Sequence, residues 1–230
     1  MKKAFLTLAI LAIGCGDTYG PTSDRVCSQG PIASTEAAIY HGVASTDERS
    51  TVYLHTESGF CTGTKIAPNV FLTAKHCGNA IKVRSAFGGS ADAVETIFHD
   101  TADLALVFTS FELTHIPASP IGIPVVGSAL VQGFGVTETG EARQLRETTI
   151  EIEGFQGSKL FSALRETEGP DTCFGDSGGP VYQRGRLVGV TKAARGDAPD
   201  TCGFGGVYTI PALYADWIND ETGVKSETCK

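Results

Sequence analysis

Gly175-Asp176-Ser177-Gly178-Gly179-Pro180 is the stretch on which the reading of this chain turns. A serine held between an acid and two glycines, and closed by a proline, is unlike the interior of a strand. Glycine admits backbone conformations closed to other residues, so a tight turn here can present the hydroxyl. That hydroxyl by itself is a weak nucleophile. It needs a base within hydrogen-bond reach and donors for the oxyanion it creates.

The spacing Gly175-x-Ser177-x-Gly179 also satisfies the elbow that presents the nucleophile of α/β-hydrolases, whose acid and histidine follow the serine. The five histidines of this chain are His41, His55, His76, His99 and His115, and all precede Ser177. The elbow fails on chain order. A base for Ser177 must come from upstream, in the order His, Asp, Ser.

The chain has 230 residues, 41% of them hydrophobic and 19% charged, which suits a compact globular protein of one large or two small domains. Its 28 glycines suit an all-β chain with many turns. A net charge of −8 argues against nucleic acid as a partner and reads chiefly as solubility.

At the N-terminus, Lys2 and Lys3 precede an apolar run over residues 4–13. The run is shorter than the ~20 residues that span a bilayer. It has the layout of a secretory signal, taken as residues 1–14. Ala12-Ile13-Gly14-Cys15 resembles a bacterial lipobox, which would lipidate Cys15; ordinary signal cleavage also fits Ala12-x-Gly14. Seven cysteines is an odd number for an exported chain. Lipidating Cys15 leaves six, namely Cys27, Cys61, Cys77, Cys173, Cys202 and Cys229, enough for three bridges in an oxidising compartment. Export to an outer membrane as a lipoprotein, or to the periplasm or the medium, is expected.

Residues 15–38 are rich in Gly, Ser, Thr and Pro without hydrophobic periodicity and read as a linker or propeptide. From Ile39 the texture changes. Val52-Tyr53-Leu54-His55, Val70-Phe71-Leu72-Thr73, Leu104-Ala105-Leu106-Val107 and Ala129-Leu130-Val131 read as strands. Thr149-Ile150-Glu151-Ile152-Glu153 alternates as a half-buried strand should, and Arg186-Leu187-Val188-Gly189-Val190 and Gly206-Val207-Tyr208-Thr209 are two more. Short strands divided by turn residues indicate a sandwich or barrel. The Pro-rich crossing Ile116-Pro117-Ala118-Ser119-Pro120-Ile121-Gly122-Ile123-Pro124 divides them into two groups. Ile210, Leu213, Tyr214, Trp217 and Ile218 recur at helical spacing, with Pro211 suited to a first turn.

Thr73-Ala74-Lys75-His76-Cys77 follows one apolar run, and Asp103-Leu104-Ala105-Leu106 begins another. With the Gly175–Pro180 block, these segments resemble the trypsin/chymotrypsin-like serine proteases over residues 39 to about 221. The resemblance implies an all-β fold of two six-stranded antiparallel β-barrels with a C-terminal α-helix. Barrel 1 would cover about 39–117, barrel 2 about 118–209 and the helix about 210–221, in a peptidase domain of residues 39–230.

It further implies a serine endopeptidase acting on peptides or proteins, with no cofactor. Ser177 would attack the scissile carbonyl, His76 would move the proton, and Asp103 would orient the imidazole, with Asp100 a rival for that role. The N–H groups of Gly175 and Ser177 would form the oxyanion hole. The other four histidines read as surface or satisfied core residues. Ile39-Tyr40-His41-Gly42 resembles the family's mature N-terminus, so the new amino group of Ile39 would pair with Asp176 once an activating protease had cut after Ala38. Cys61–Cys77 and Cys173–Cys202 bridges follow from the resemblance, and Cys27 and Cys229 then remain to pair. Gly133-Phe134-Gly135 matches a Gly-Trp-Gly segment.

Asp171, six residues before Ser177, stands where trypsin-like members bind Arg or Lys, with Ala194 and Gly206 on the pocket walls. A buried carboxylate favours a paired cation. The chain departs from the family where Lys192-Ala193-Ala194 replaces Ser-Trp-Gly. There Lys192 is near enough to pair with Asp171, and small or apolar primary specificity is the alternative. An inactive homologue serving as a binding module is a further alternative, against which all three triad residues stand. The segment after His76 has no acid until Asp92, so no calcium site and no other metal is expected. A monomer is expected, anchored to a membrane if Cys15 carries lipid.

Overall fold

The computed structural model describes residues 39–196 and 202–223. Thirteen strands lie among the described residues. Before the Pro-rich crossing come β1 (Val43–Ala44), β2 (Thr51–Thr56), β3 (Gly59–Ala67), β4 (Val70–Thr73), β5 (Ala80–Arg84), β6 (Ser90–Phe98) and β7 (Ala105–Thr109). After it come β8 (Gly127–Gly133), β9 (Arg146–Gln156), β10 (Lys159–Ser162), β11 (Pro180–Gln183), β12 (Arg186–Ala194) and β13 (Gly206–Thr209).

Strands β2-β3-β4-β7-β6-β5 close into an antiparallel barrel, with β5 returning to β2. The second sheet runs β1-β9-β10-β13-β12-β11-β8 and closes through β8 on β9, which makes six strands a ring and leaves β1 on the edge of β9. These are the two six-stranded barrels that the resemblance implied. The C-terminal helix is shorter than its periodicity suggested. Pro211–Tyr214 forms a 3-10 turn, and α1 covers Ala215–Thr222.

Packing explains why several strands lack alternation. Val70 and Leu72 of β4 and Leu106 of β7 join the cluster that holds Ala129, Val131, Ile150 and Val190 of the second barrel. Phe71 and Val107, their neighbours along the same strands, join Val52, Leu54 and Val83 inside the first. Both faces of β4 and β7 are therefore buried, and the strands read as continuous apolar runs. The segment between β7 and β8 carries the Pro-rich crossing. Lys65, only 1% exposed, points its ammonium into this segment at Glu112 Oε1 and the carbonyls of Leu113 and Ile116, each 2.9 Å away. A buried charge is tolerated when its donors are met in this way. Because β4 and β7 are covered by the second barrel, the loops that leave their ends meet the loop that enters β11. That junction holds the site.

Candidate active site

His76 lies in the 3-10 turn Lys75–Cys77, directly after β4. Asp103 lies just before β7, which pairs with β4 through Thr73 and Ala105. This pairing brings two residues 27 apart in sequence into contact. His76 N donates to Asp103 Oδ1 at 3.0 Å, and His76 Nδ1 lies 2.9 Å from Oδ2 and 3.1 Å from Oδ1. A carboxylate accepts only, so Nδ1 carries a proton, and in the neutral ring Nε2 keeps its lone pair. Asp100 is not the partner. Its carbonyl, with that of His99, receives the ammonium of Lys75.

Asp103 has a second partner. The Lys192 ammonium donates to Oδ2 at 2.9 Å. Burial pushes the Asp103 carboxyl up, but hydrogen bonds from His76 and Lys192 outweigh it and hold the group well below its ordinary 3.8. The sequence placed Lys192 beside Asp171, and the structure places it on Asp103. The cause is a register shift in the β12–β13 pairing between Thr191 and Ala193, which turns the Lys192 side chain out of the ladder's alternation.

Ser177 comes from the second barrel and is fastened to the first. Thr62 N donates to Ser177 O at 2.9 Å, and Thr62 Oγ1 donates to Gly175 O at 2.9 Å. Gly178 must be glycine for two reasons. Its φ is +80°, and a Cβ there would lie 1.9 Å from Thr73 Oγ1 and 2.4 Å from Thr62 O. That close approach lets the serine loop nest against the end of β4. Among the described residues, neither Gly175 N nor Ser177 N donates to another protein group. Ser177 and His76 line one groove of about 390 Å³, with Thr172, Phe174, Thr191, Lys192, Ala193 and Ala194. Their side chains share no direct hydrogen bond among the described residues. Such contacts are commonly loose before substrate binds.

Asp176 is fully buried. Its Oδ1 accepts from Gly135 N at 2.7 Å and its Oδ2 from Cys173 N at 2.8 Å. A Cβ at Gly133 or Gly135 would meet this carboxylate at 2.0 or 2.5 Å, which is the physical reason for glycine on both sides of Phe134. Burial pushes the Asp176 carboxyl up to about 7. Ile39 is also fully buried, and Tyr40 bridges to Asp171. No ion pair joins Ile39 to Asp176 among the described residues. In the uncut chain the Ile39 nitrogen is a peptide nitrogen without charge.

Asp171 is 3% exposed and lies outside the groove lining, as does Gly206; Ala194 lines the groove. Asp171 accepts from Thr172 N and Gly205 N, each at 2.8 Å, with Tyr208 OH at 3.4 Å. Burial raises its carboxyl despite these donors. It precedes Thr172 of the groove lining, whose Oγ1 is 3.4 Å from the same Tyr208 OH. Cys61–Cys77 and Cys173–Cys202 are bridged, which brace the histidine turn and the serine loop and fit an exported protein. Cys15, Cys27 and Cys229 lie outside the described residues, as do residues 1–38, read from the sequence as a signal and a linker or propeptide. Thr172, Phe174 and Thr191 were not singled out from the sequence. Adjacency to Asp171, Gly175 and Lys192 was the available signal.

Two closed barrels with a hydroxyl, an imidazole and a carboxylate at their junction define the double-barrel fold of trypsin-like proteins. Mouse neuropsin, a serine protease, superimposes with a TM-score of 0.69 at 21% identity, covering 80% of this chain and 99% of its own. The chain belongs to the trypsin family of serine proteases, whose family model, described as Trypsin, matches residues 39–218. A peptidase from Corynebacterium glutamicum (strain R) is 30% identical over 198 residues, 78% of this chain and 70% of its own. A trypsin from Saccharopolyspora erythraea is 27% identical, over 76% of this chain and 93% of its own. Trypsin Blo t 3 of Blomia tropicalis is 29% identical, over 73% and 79%.

Proposed function

We propose that this chain is the precursor of an exported serine endopeptidase that hydrolyses peptide bonds with His76, Asp103 and Ser177. The observation that carries the reading is the 2.9 Å contact of His76 Nδ1 with Asp103 at the rim of the groove that Ser177 lines. With Nδ1 protonated, Nε2 is the base. It takes the Ser177 proton as Oγ attacks the carbonyl, then delivers it to the leaving amine. Asp103 stabilises the imidazolium between these transfers. The uncommitted N–H groups of Gly175 and Ser177 are the donors available to the oxyanion.

Activation follows cleavage after Ala38 by another protease. The freed Ile39 amino group then offers Asp176 the cation that its buried carboxylate lacks. The backbone pairing of Tyr40, next to Ile39, with Asp171, five residues before Asp176, supports this reading. A Cys27–Cys229 disulfide would keep the cut propeptide attached, and a lipid on Cys15 would hold the enzyme at a membrane.

For primary specificity the reading is Arg or Lys, drawn to the buried Asp171, whose carboxyl burial raises despite its hydrogen-bond donors. Cleavage after small or apolar residues is the second reading. It is favoured by the position of Asp171 outside the groove lining and by Ala193 and Ala194 within it. A panel of chromogenic peptides ending in Arg, Lys, Ala, Val or Phe, run on the cut enzyme and on Ser177→Ala, tests both. Loss of all turnover in Ser177→Ala is expected. Turnover near wild type in that variant removes Ser177 as nucleophile, and the preferred peptide chooses between the two specificities.

A further inference from the structure

The Asp103 carboxylate carries an unusual load. Oδ2 accepts from the imidazole and from an ammonium, each at 2.9 Å, and Oδ1 accepts from the backbone N–H of His76 at 3.0 Å. The ammonium and imidazole can be no farther apart than those two bonds end to end. A full positive charge therefore stands beside the ring that must gain a proton during the reaction.

Lys192 reaches this position from the β12 bulge and not from a flexible loop. Its side chain is one-third exposed and that of Asp103 12% exposed, so the pair is only partly screened by water. The other charged groups around His76 do not compensate. Lys75, on the same turn, directs its ammonium to the carbonyls of His99 and Asp100. Asp176, behind the serine loop, is turned to Gly135 N and Cys173 N. Among the remaining groove residues, none besides Lys192 carries a cation.

We propose that Lys192 is a positioning residue that locks the Asp103 carboxylate and, through its charge, opposes protonation of His76, keeping the base free at lower pH. The inference rests on the proposed roles of His76 and Asp103 and adds a charge to them. Two consequences oppose each other. A like charge within ~4–6 Å disfavours the protonated ring, which extends activity into acid. The same charge stabilises the imidazolium of the transition state less well, which lowers the maximal rate. The site exchanges rate at neutral pH for working range at acid pH.

The test uses the cut enzyme with Lys192, Lys192→Met and Lys192→Arg, its kcat/KM followed from pH 4 to 9. Methionine keeps the stem and removes the charge; arginine keeps the charge. In Lys192→Met the acid limb should move about one unit to higher pH, the low end of the effect of a charge within ~4–6 Å. Lys192→Arg should keep the limb of the wild type. A limb that stays within about 0.3 unit in Lys192→Met overturns the inference, as does an equal shift in Lys192→Arg. A second measurement is independent of turnover: the ¹³C titration of His76 in the Ser177→Ala background, whose midpoint should rise by a similar amount in Lys192→Met. If peptides are not hydrolysed at all, the proposed activity fails, and this titration still decides the role of Lys192. If Lys192→Met does not fold, Lys192→Gln is measured by the same titration against the same expectation.

Discussion

Replacing Asp176 by asparagine in the uncut chain should flatten the dependence of stability on pH between ordinary carboxylate values and neutrality. The carboxyl is fully buried, is met by two backbone N–H groups, and has no cation beside it among the described residues. Burial raises it from 3.8 to about 7. Across that window the folded chain holds a proton that the unfolded chain has released. The contribution is therefore fully present below 3.8 and is lost as pH rises toward about 7. Three units at 1.36 kcal/mol each make this loss about 4 kcal/mol. Asparagine does not titrate. Its amide turns an N–H toward one of the two backbone donors, a fixed cost of about 1–3 kcal/mol. Asp171 is raised in the same direction, and its charge adds to the rise of Asp176, so removing the Asp176 carboxylate eases Asp171 as well and flattens the dependence in the same sense. The variant should thus be the less stable protein near pH 4 and should match or exceed its parent near pH 8. Urea unfolding of both chains in the Ser177→Ala background, with disulfides intact, measures this at each pH. A difference that is constant with pH would refute the reasoning, because it would mean that Asp176 does not hold its proton in the folded precursor.

Gly178→Ala should destabilise the chain by at least about 2 kcal/mol, since it combines a left-handed backbone with a collision against Thr73 and Thr62; a loss under about 1 kcal/mol in urea unfolding would show that the serine loop can shift. Asp171→Ser should abolish cleavage after Arg and Lys while leaving Ser177 reactive toward a small phosphonylating probe. Unchanged cleavage after Arg would remove Asp171 from specificity. Cutting after Ala38 should release a propeptide of residues 15–38 only on reduction, read by intact and reduced mass spectra, and release without reductant would exclude the Cys27–Cys229 bridge.

The division between sequence and tertiary structure can be followed residue by residue. β9 of the second barrel was legible in Thr149-Ile150-Glu151-Ile152-Glu153, because burial on one side imprints a period of two. β4 and β7 were legible as apolar runs, and only the second barrel's cover explains why Val70, Phe71 and Leu72 are all buried. β1, β3, β5, β6, β10 and β11 were not singled out; β11, Pro180–Gln183, directly follows the glycines of the serine block, where turn signals dominate. The identities of His76, Asp103 and Ser177 came from chain order and local blocks, since each side chain needs a particular turn or strand end around it. Their contact did not, because His76 and Asp103 meet through a strand pairing. The place of Lys192 was decided by tertiary structure alone. A strand's alternation is a local property, whereas a bulge depends on how β12 registers against β13, and that register turned a residue read as a partner of Asp171 into a partner of Asp103.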